Sequence, residues 1–266
     1  MKLRVATYNI HKGVTGIRRR PRIHDVRLAL QLIDADIVFL QEVQDRNERV
    51  SRRYPDAPKA AQLDFLATTG YEHRAYGMNS VYRHGHHGNA ILSRLPIGHF
   101  TNHDISDHAL EQRGMLHAVA SAGTGARRRD IHLICAHFGL VKRSRLRQAG
   151  FVADFVRHEI PAGAPLILAG DLNDWQRRVD HELRRRLGVI EVTDAGAAPP
   201  ARWFDFLLPW RQPMRVARTF PAVAPWLTLD RIYLRGLRPL SARVPRGVAW
   251  ARRSDHAPLI ADLELG

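Results

Sequence analysis

Short apolar runs that stop abruptly at polar side chains restrict this chain more than any other feature. PLILAGDLNDW, from Pro165 to Trp175, is the clearest: a run built for burial halts at Gly170, then Asp171, Asn173 and Asp174 crowd together. The same thing happens elsewhere. VATYN ends in Asn9 with His11 just beyond, IVFLQ runs into Glu42, and LICA ends in His137. In reverse order, one strand begins at Asp230, in LDRIYLRG, and another begins at Asp255 and His256 and runs through HAPLIADLEL. Apolar runs this short, rich in β-branched residues, are the mark of strands buried on both faces. Their ends are rigid places to hold reactive groups.

Between these runs lie helical patterns. HDVRLALQLIDAD has apolar residues at Val26, Leu30 and Ile33. Residues from about Arg143 to Glu159 put Leu146, Ala149, Val152, Phe155 and Val156 on one side, and HELRRRL forms a short basic helix. RGMLHAVAS and RRRDIHLICAH are neighbours in a hairpin, with GTG as turn material, and Asn89 to Ser93 is another strand. The order is neither strict βαβ nor all-β. It suits two mostly antiparallel sheets packed face to face with helices outside. No linker or repeat divides the 266 residues, so one domain over residues 1–266 is expected. AGAAPPARW, near Ala195 to Trp203, reads as a surface loop, and His86 and His87 of GHHGN as part of a mobile loop.

Several classes are excluded or disfavoured. No apolar run spans a bilayer, and MKLRVATYNI lacks the h-region of a signal peptide, so a cytoplasmic location is expected. The single cysteine, Cys135, sits in an apolar stretch and is expected as a buried thiol. No Cys/His cluster has zinc spacing, and neither a GxxxxGK[ST] loop nor a GxGxxG fingerprint is present. The net charge of +15 favours a polyanion, although only Lys2, Lys12, Lys59 and Lys142 of the 41 basic residues are lysines, an arginine bias that genome composition alone can produce.

Each polar residue has an ordinary structural use: Asn9 in satisfying loop backbone, Asp171 and Asn173 in a turn, His137 in a core. As a set, carboxylates and amides at strand ends suit a hard divalent cation such as Mg²⁺ or Mn²⁺. The series TYN, QEV, GNAILS, AHFG, GDLND, LDRIY and SDHAPL, in this order from about Arg4 to Leu263, resembles the endonuclease/exonuclease/phosphatase superfamily, to which deoxyribonuclease I belongs. The resemblance implies a four-layer αββα sandwich. It implies metal binding by Glu42, Asn9 and Asp255, and a water and scissile phosphate held by Asp171 and Asn173. It places His256 at the phosphate, oriented by Asp230, with His137 beside them. His256 serves either as a protonated donor or as a base. Asn89 and Arg113 are further candidates for substrate contact, and His11 for a second metal site.

The expected reaction is metal-dependent phosphodiester hydrolysis, with nucleic acid as the favoured substrate. An anionic phospholipid or a small phosphoester is the alternative, for which the run Trp203, Phe204, Phe206, Leu207, Leu208 and Trp210 would serve as an interfacial loop. A non-catalytic polyanion-binding module is the third reading.

Overall fold

A computed structural model describes residues 1–14, 20–47, 53–54, 58, 60–108, 111–125, 128–196 and 217–266. One sheet holds β1 (Lys2–Asn9), β2 (Ile37–Asn47), β3 (His73–Tyr82), β4 (Gly85–Ser93), β11 (Leu237–Arg243) and β12 (Leu259–Leu265), in the order β11-β12-β1-β2-β4-β3. The second holds β5 (Ile97–Asp104), β6 (Gly114–Ala122), β7 (Arg129–His137), β8 (Leu166–Asp171), β9 (Ile190–Glu191) and β10 (Asp230–Arg235), in the order β5-β6-β7-β8-β10-β9. Each sheet is mixed. Its one parallel pair, β1 with β2 or β7 with β8, lies among antiparallel neighbours.

Side-chain alternation builds the layers. Val5, Ile37, Phe39, Leu133, Cys135, Ile167, Ala169 and Ile232 point into one core between the sheets. Their neighbours along the same strands point outward. Ala6, Tyr8, Val38 and Leu40 meet α1 (Ile23–Ile33) and α2 (Gln62–Ala67). Ile134, Ala136, Leu168 and Tyr233 meet α3 (Lys142–Glu159) and α4 (Arg178–Leu187). The layer order is therefore helix, sheet, sheet, helix, as expected. Because the central strands are covered on both faces, their sequences read as unbroken apolar runs. Cys135 is fully buried. Its Sγ accepts from Gln41 Nε2 at 3.3 Å and donates to Leu40 O at 3.4 Å, joining the two sheets, and burial pushes its thiol up to about 12.

Two expectations are corrected. His86 and His87 are not in a loop: they belong to β4, where they pair with Arg46 of β2 and with Val81 and Ser80 of β3. Asp255 and His256 do not open a strand; they precede β12 by a short turn. The Pro/Gly/Ala stretch near Ala195 to Trp203 is described only up to residue 196, and the aromatic run from Trp203 to Trp210 lies outside the described residues. Among the described residues, no helix is long and apolar enough to cross a membrane.

Gly170 lies beside Ala136 of β7 with φ of 152°, and a Cβ there would meet Ala136 O at 1.8 Å. Only glycine lets β8 approach β7 this closely and still deliver Asp171. Gly170→Ala should lower unfolding free energy by about 2–3 kcal/mol, the usual cost of overpacking a rigid core. Urea denaturation measures this, and a wild-type midpoint would refute the close-approach reading.

Candidate active site

Alternation also decides which strand-end groups meet. Asn9 continues the inward series of Val5, His137 that of Leu133 and Cys135, and Asp171 that of Ile167 and Ala169, while Asp230 precedes the inward Ile232 by one repeat. All four therefore face the space between the sheets at one rim. Glu42 breaks the rule. An uninterrupted β2 would turn it outward with Leu40. Instead the ladder to β4 shifts between Leu40 and Val43, and Glu42 takes φ of 57°. A bulge of this kind re-aims a side chain, and the Glu42 carboxylate stands beside Lys12, with Nζ 3.2 Å from Oε2.

Asp171 is the meeting point. Its Oδ2 accepts from Asn9 Nδ2 at 3.0 Å, across the two sheets, and lies 3.6 Å from His256 Nε2 and 3.7 Å from His137 Nε2. Its Oδ1 accepts the Asn173 backbone N–H at 3.0 Å, and Asn173 Nδ2 donates to Phe138 O at 2.9 Å. On its other side, His256 Nδ1 is 2.8 Å from Asp230 Oδ2. Phe220 packs against the His256 ring, with centroids 4.9 Å apart. Asp171, Asp230, His137 and His256 are all buried.

This packing sets the protonation states. Burial would pull the His256 imidazolium down, but the Asp230 and Asp171 carboxylates outweigh it and push it up to about 10. Burial pushes the Asp171 carboxyl up to about 6, against the pull of His256 and the Asn9 and Asn173 hydrogen bonds. At neutral pH the cluster is an imidazolium between two carboxylates. His137 differs: burial, reinforced by the Arg113 charge, holds it well below the ordinary histidine range, so it is neutral.

The other expected metal-site residues gather around the turn His11–Gly13. His11 N donates to Asn9 Oδ1 at 3.0 Å, and His11 Nδ1 is 3.2 Å from Asp255 Oδ2. Burial opposes ionisation of Glu42, yet the Lys12 ammonium in contact with it and the nearby His11 hold its carboxyl below the usual carboxylate range. Glu42 Oε2 is buried, and the cationic Lys12 ammonium stands 3.2 Å from it, a position in which positive charge is already favoured. Glu42, Asn9 and Asp255 are hard oxygen donors and fit a divalent ion. Asp171, Asp230 and His256 also offer three ligand atoms within 4.8 Å of one another. Within this trio His256 Nδ1 and Asp230 Oδ2 already share a hydrogen bond, while His256 Nε2 faces Asp171.

The remaining expectations fare differently. Asn89 is wholly buried, and its Nδ2 donates to Gly114 O at 2.8 Å and Cys135 O at 3.3 Å, so it ties backbone beneath the site. Arg113 is not a free surface arginine: Nε donates to Phe138 O at 3.1 Å and Nη2 to Glu111 at 3.3 Å. Asp174 lies in the loop after β8 and is fully buried, and its carboxylate accepts the backbone N–H groups of Arg178 and Asp180, anchoring the start of α4. Lys12 and Ser254, whose Oγ donates to Asn9 O at 2.7 Å, were not anticipated. Lys12 was visible in NIHKG, but nothing local in the sequence places it opposite Glu42.

The profile of the Endonuclease/Exonuclease/phosphatase family matches residues 6–256, and the chain belongs to that family, whose name covers hydrolases of phosphoesters. It is 38% identical to the Uncharacterized protein YbhP of Escherichia coli (strain K12), covering 98% of this chain and 96% of that protein. Among solved structures, an endonuclease/exonuclease/phosphatase from Bacteroides vulgatus superposes with TM-score 0.74 at 18% identity, over 100% of both chains. TDP2 of D. rerio, complexed with single strand DNA product, superposes with TM-score 0.66 at 19% identity, over 99% of both. The fold is thus deoxyribonuclease I-like, as the sequence implied.

Because the carboxylates outweigh burial at His256, Asp230→Asn should weaken proton binding by its imidazole at least about tenfold. An NMR titration of the His256 ring measures this directly, and a midpoint still near the wild-type value would show that Asp230 does not hold the charge.

Proposed function

We propose that the chain is a divalent-metal-dependent phosphodiesterase acting on nucleic acid. The His256 imidazolium clamped between Asp230 and Asp171, beside the inter-sheet Asn9–Asp171 hydrogen bond, carries this reading. A phosphoryl group at this rim would face a buried positive donor in His256 Nε2 and a carboxylate in Asp171 able to take a proton from water. With its carboxyl raised to about 6, Asp171 is mostly ionised at neutral pH and still basic enough to accept that proton. His256, protonated up to about 10, donates toward the charge that develops on phosphate. Asp230 fixes the ring through Nδ1, leaving Nε2 for the substrate side. Neutral His137 adds a hydrogen bond without altering the charge, and Asn9 and Asn173 orient Asp171. Glu42, Asn9 and Asp255 would hold Mg²⁺ or Mn²⁺, which when bound supplies neutralisation of phosphoryl charge.

Nucleic acid is favoured over lipid by the net charge of +15, since phosphate neutralisation carries most non-specific nucleic-acid affinity. The likeness in fold to TDP2, solved with a single-strand DNA product, supports the same class.

With Mg²⁺ or Mn²⁺ present, plasmid DNA, single-stranded DNA, phospholipid vesicles and bis-p-nitrophenyl phosphate should be compared side by side. DNA and the small diester are expected to be cleaved. Asp171→Asn and His256→Ala should each lower kcat by at least ~10²-fold, and Glu42→Ala should shift the metal titration to higher concentration. Lipid turnover without DNA cleavage would overturn the substrate assignment, and near-normal kcat in Asp171→Asn the mechanism.

The pH profile separates the two roles of His256. A base at Asp171 must be ionised and a donor at His256 must be protonated, so kcat/KM should rise through about 6 and fall through about 10. Activity that appears only above the upper limb would make His256 the base.

A further inference from the structure

Beyond the rim of Asp171 lies a second concave feature that the proposed chemistry does not use. It is a cleft of about 200 Å³ on the outer side of the loop following β8, and Trp175, Trp226, Arg177, Arg218, Thr228 and Arg231 contribute to its walls. Strand alternation explains its position. Asp230 and Arg231 are consecutive in β10, so one side chain faces His256 and the other faces the opposite side of the same sheet.

The walls are built rather than incidental. One face of the Trp175 indole rests on the Arg145 guanidinium, with Cζ 4.3 Å from the ring centroid, and Arg145 is itself buried. The indole is nevertheless 43% exposed, so a fixed aromatic face is left open. Trp226 is 66% exposed, a large apolar surface with no internal use. Arg231 is 2% exposed. Two of its nitrogens reach Glu191 and Asp174 O, while its buried Nε–H has no hydrogen-bond partner among the described residues. Such an orphaned donor is costly and calls for an acceptor. Arg218 is exposed and makes no ion pair among the described residues.

The cleft is also coupled to the site. The segment that places Trp226 carries Phe220, whose ring lies against His256, and Trp226 N donates to Phe220 O at 3.0 Å. Leu172 N donates to Leu229 O at 2.9 Å, fixing the loop between Asp171 and Trp175 onto the strand that carries Asp230. Trp175 lies four positions beyond Asp171, so their backbones are at most about 14 Å apart, within reach of one or two nucleotides.

We propose that this cleft is a base-stacking subsite for single-stranded nucleic acid, receiving an unpaired base that flanks the phosphodiester held at Asp171. It rests on the phosphodiesterase reading of that site. Two exposed indoles offer flat faces to a base, and Arg218 offers charge to the flanking phosphates. A base inside a duplex cannot enter, so the cleft selects unpaired strands or frayed ends.

Fluorescence anisotropy with labelled oligodeoxythymidylate, in EDTA to prevent cleavage, tests this beside an abasic oligomer of equal length and charge. Trp226→Ala should weaken oligodeoxythymidylate binding about tenfold, the usual effect of losing one stacked base, and leave abasic binding unchanged. Trp226→Phe should restore most of the loss, which an unfolded variant could not. Turnover of bis-p-nitrophenyl phosphate, which carries no base, should be the same in Trp226→Ala and wild type. Equal losses on both oligomers, no loss on either, tighter binding of duplex than of single strand, or Trp226-dependent binding to phosphatidylserine vesicles in place of DNA would each overturn the proposal. If no diester is cleaved but base-dependent binding persists, the catalytic reading falls and the cleft stands as a nucleic-acid site. If diesters are cleaved and binding is indifferent to bases, only the cleft falls.

Discussion

One carboxylate oxygen, Asp171 Oδ2, is where the two sheets meet chemically. It takes a hydrogen bond from Asn9 at the end of β1, lies near His137 at the end of β7, and faces His256 from the loop before β12. A buried carboxylate this crowded is tolerable only because every neighbour is fixed by a core strand or a short turn. Removing any one changes the field felt by the others. The apolar core between the sheets therefore sets the electrostatics at its rim: it holds Val5, Cys135 and Ala169 in register, and these carry Asn9, His137 and Asp171 with them.

The site divides its charges by neighbourhood. His256 stays protonated because two carboxylates flank it, while His137, equally buried, stays neutral because burial, reinforced by the Arg113 charge, outweighs the carboxylates near it. Two histidines on the same carboxylate thus hold opposite states, set by what lies behind each ring. Lys12 does the corresponding work at Glu42. The cluster around Glu42 and the cluster around His256 are linked through Asn9, which donates to Asp171 and accepts from the backbone of His11.

Central strands were readable from sequence because burial on both faces leaves an apolar run, as in LILAG and LICA. The strands that escaped notice, β3, β5, β9 and β11, are the four edges of the two sheets. Their residues alternate between partial burial and exposure, as in IGHFTNHD, and they carry little of the hydrophobic signal on which strand recognition rests. Site residues divide in the same way. Asn9, His137, Asp171 and Asp230 follow from strand alternation, and motif resemblance names them. Lys12 against Glu42, Trp175 on Arg145 and Phe220 on His256 are long-range or packing events without a local pattern. Glu42 is expected at a strand end, and its geometry is different. It is not a strand end but a bulge within β2, and its useful direction comes from a positive φ that no spacing rule reveals.

The pairing of β1 with β12 matches Lys2 with Glu264 and Thr7 with Leu259, so residues more than two hundred positions apart close the first sheet. The rim is drawn from both sides of that closure: Asn9 and Glu42 from one part of the chain, Asp230 and His256 from the other. Contacts this distant in sequence form slowly, because the loop entropy must be met before the contacts stabilise anything. A partly folded chain, whatever local strands it has formed, holds half a site. The geometry of the rim is thus completed only when the two distant parts of the chain have paired.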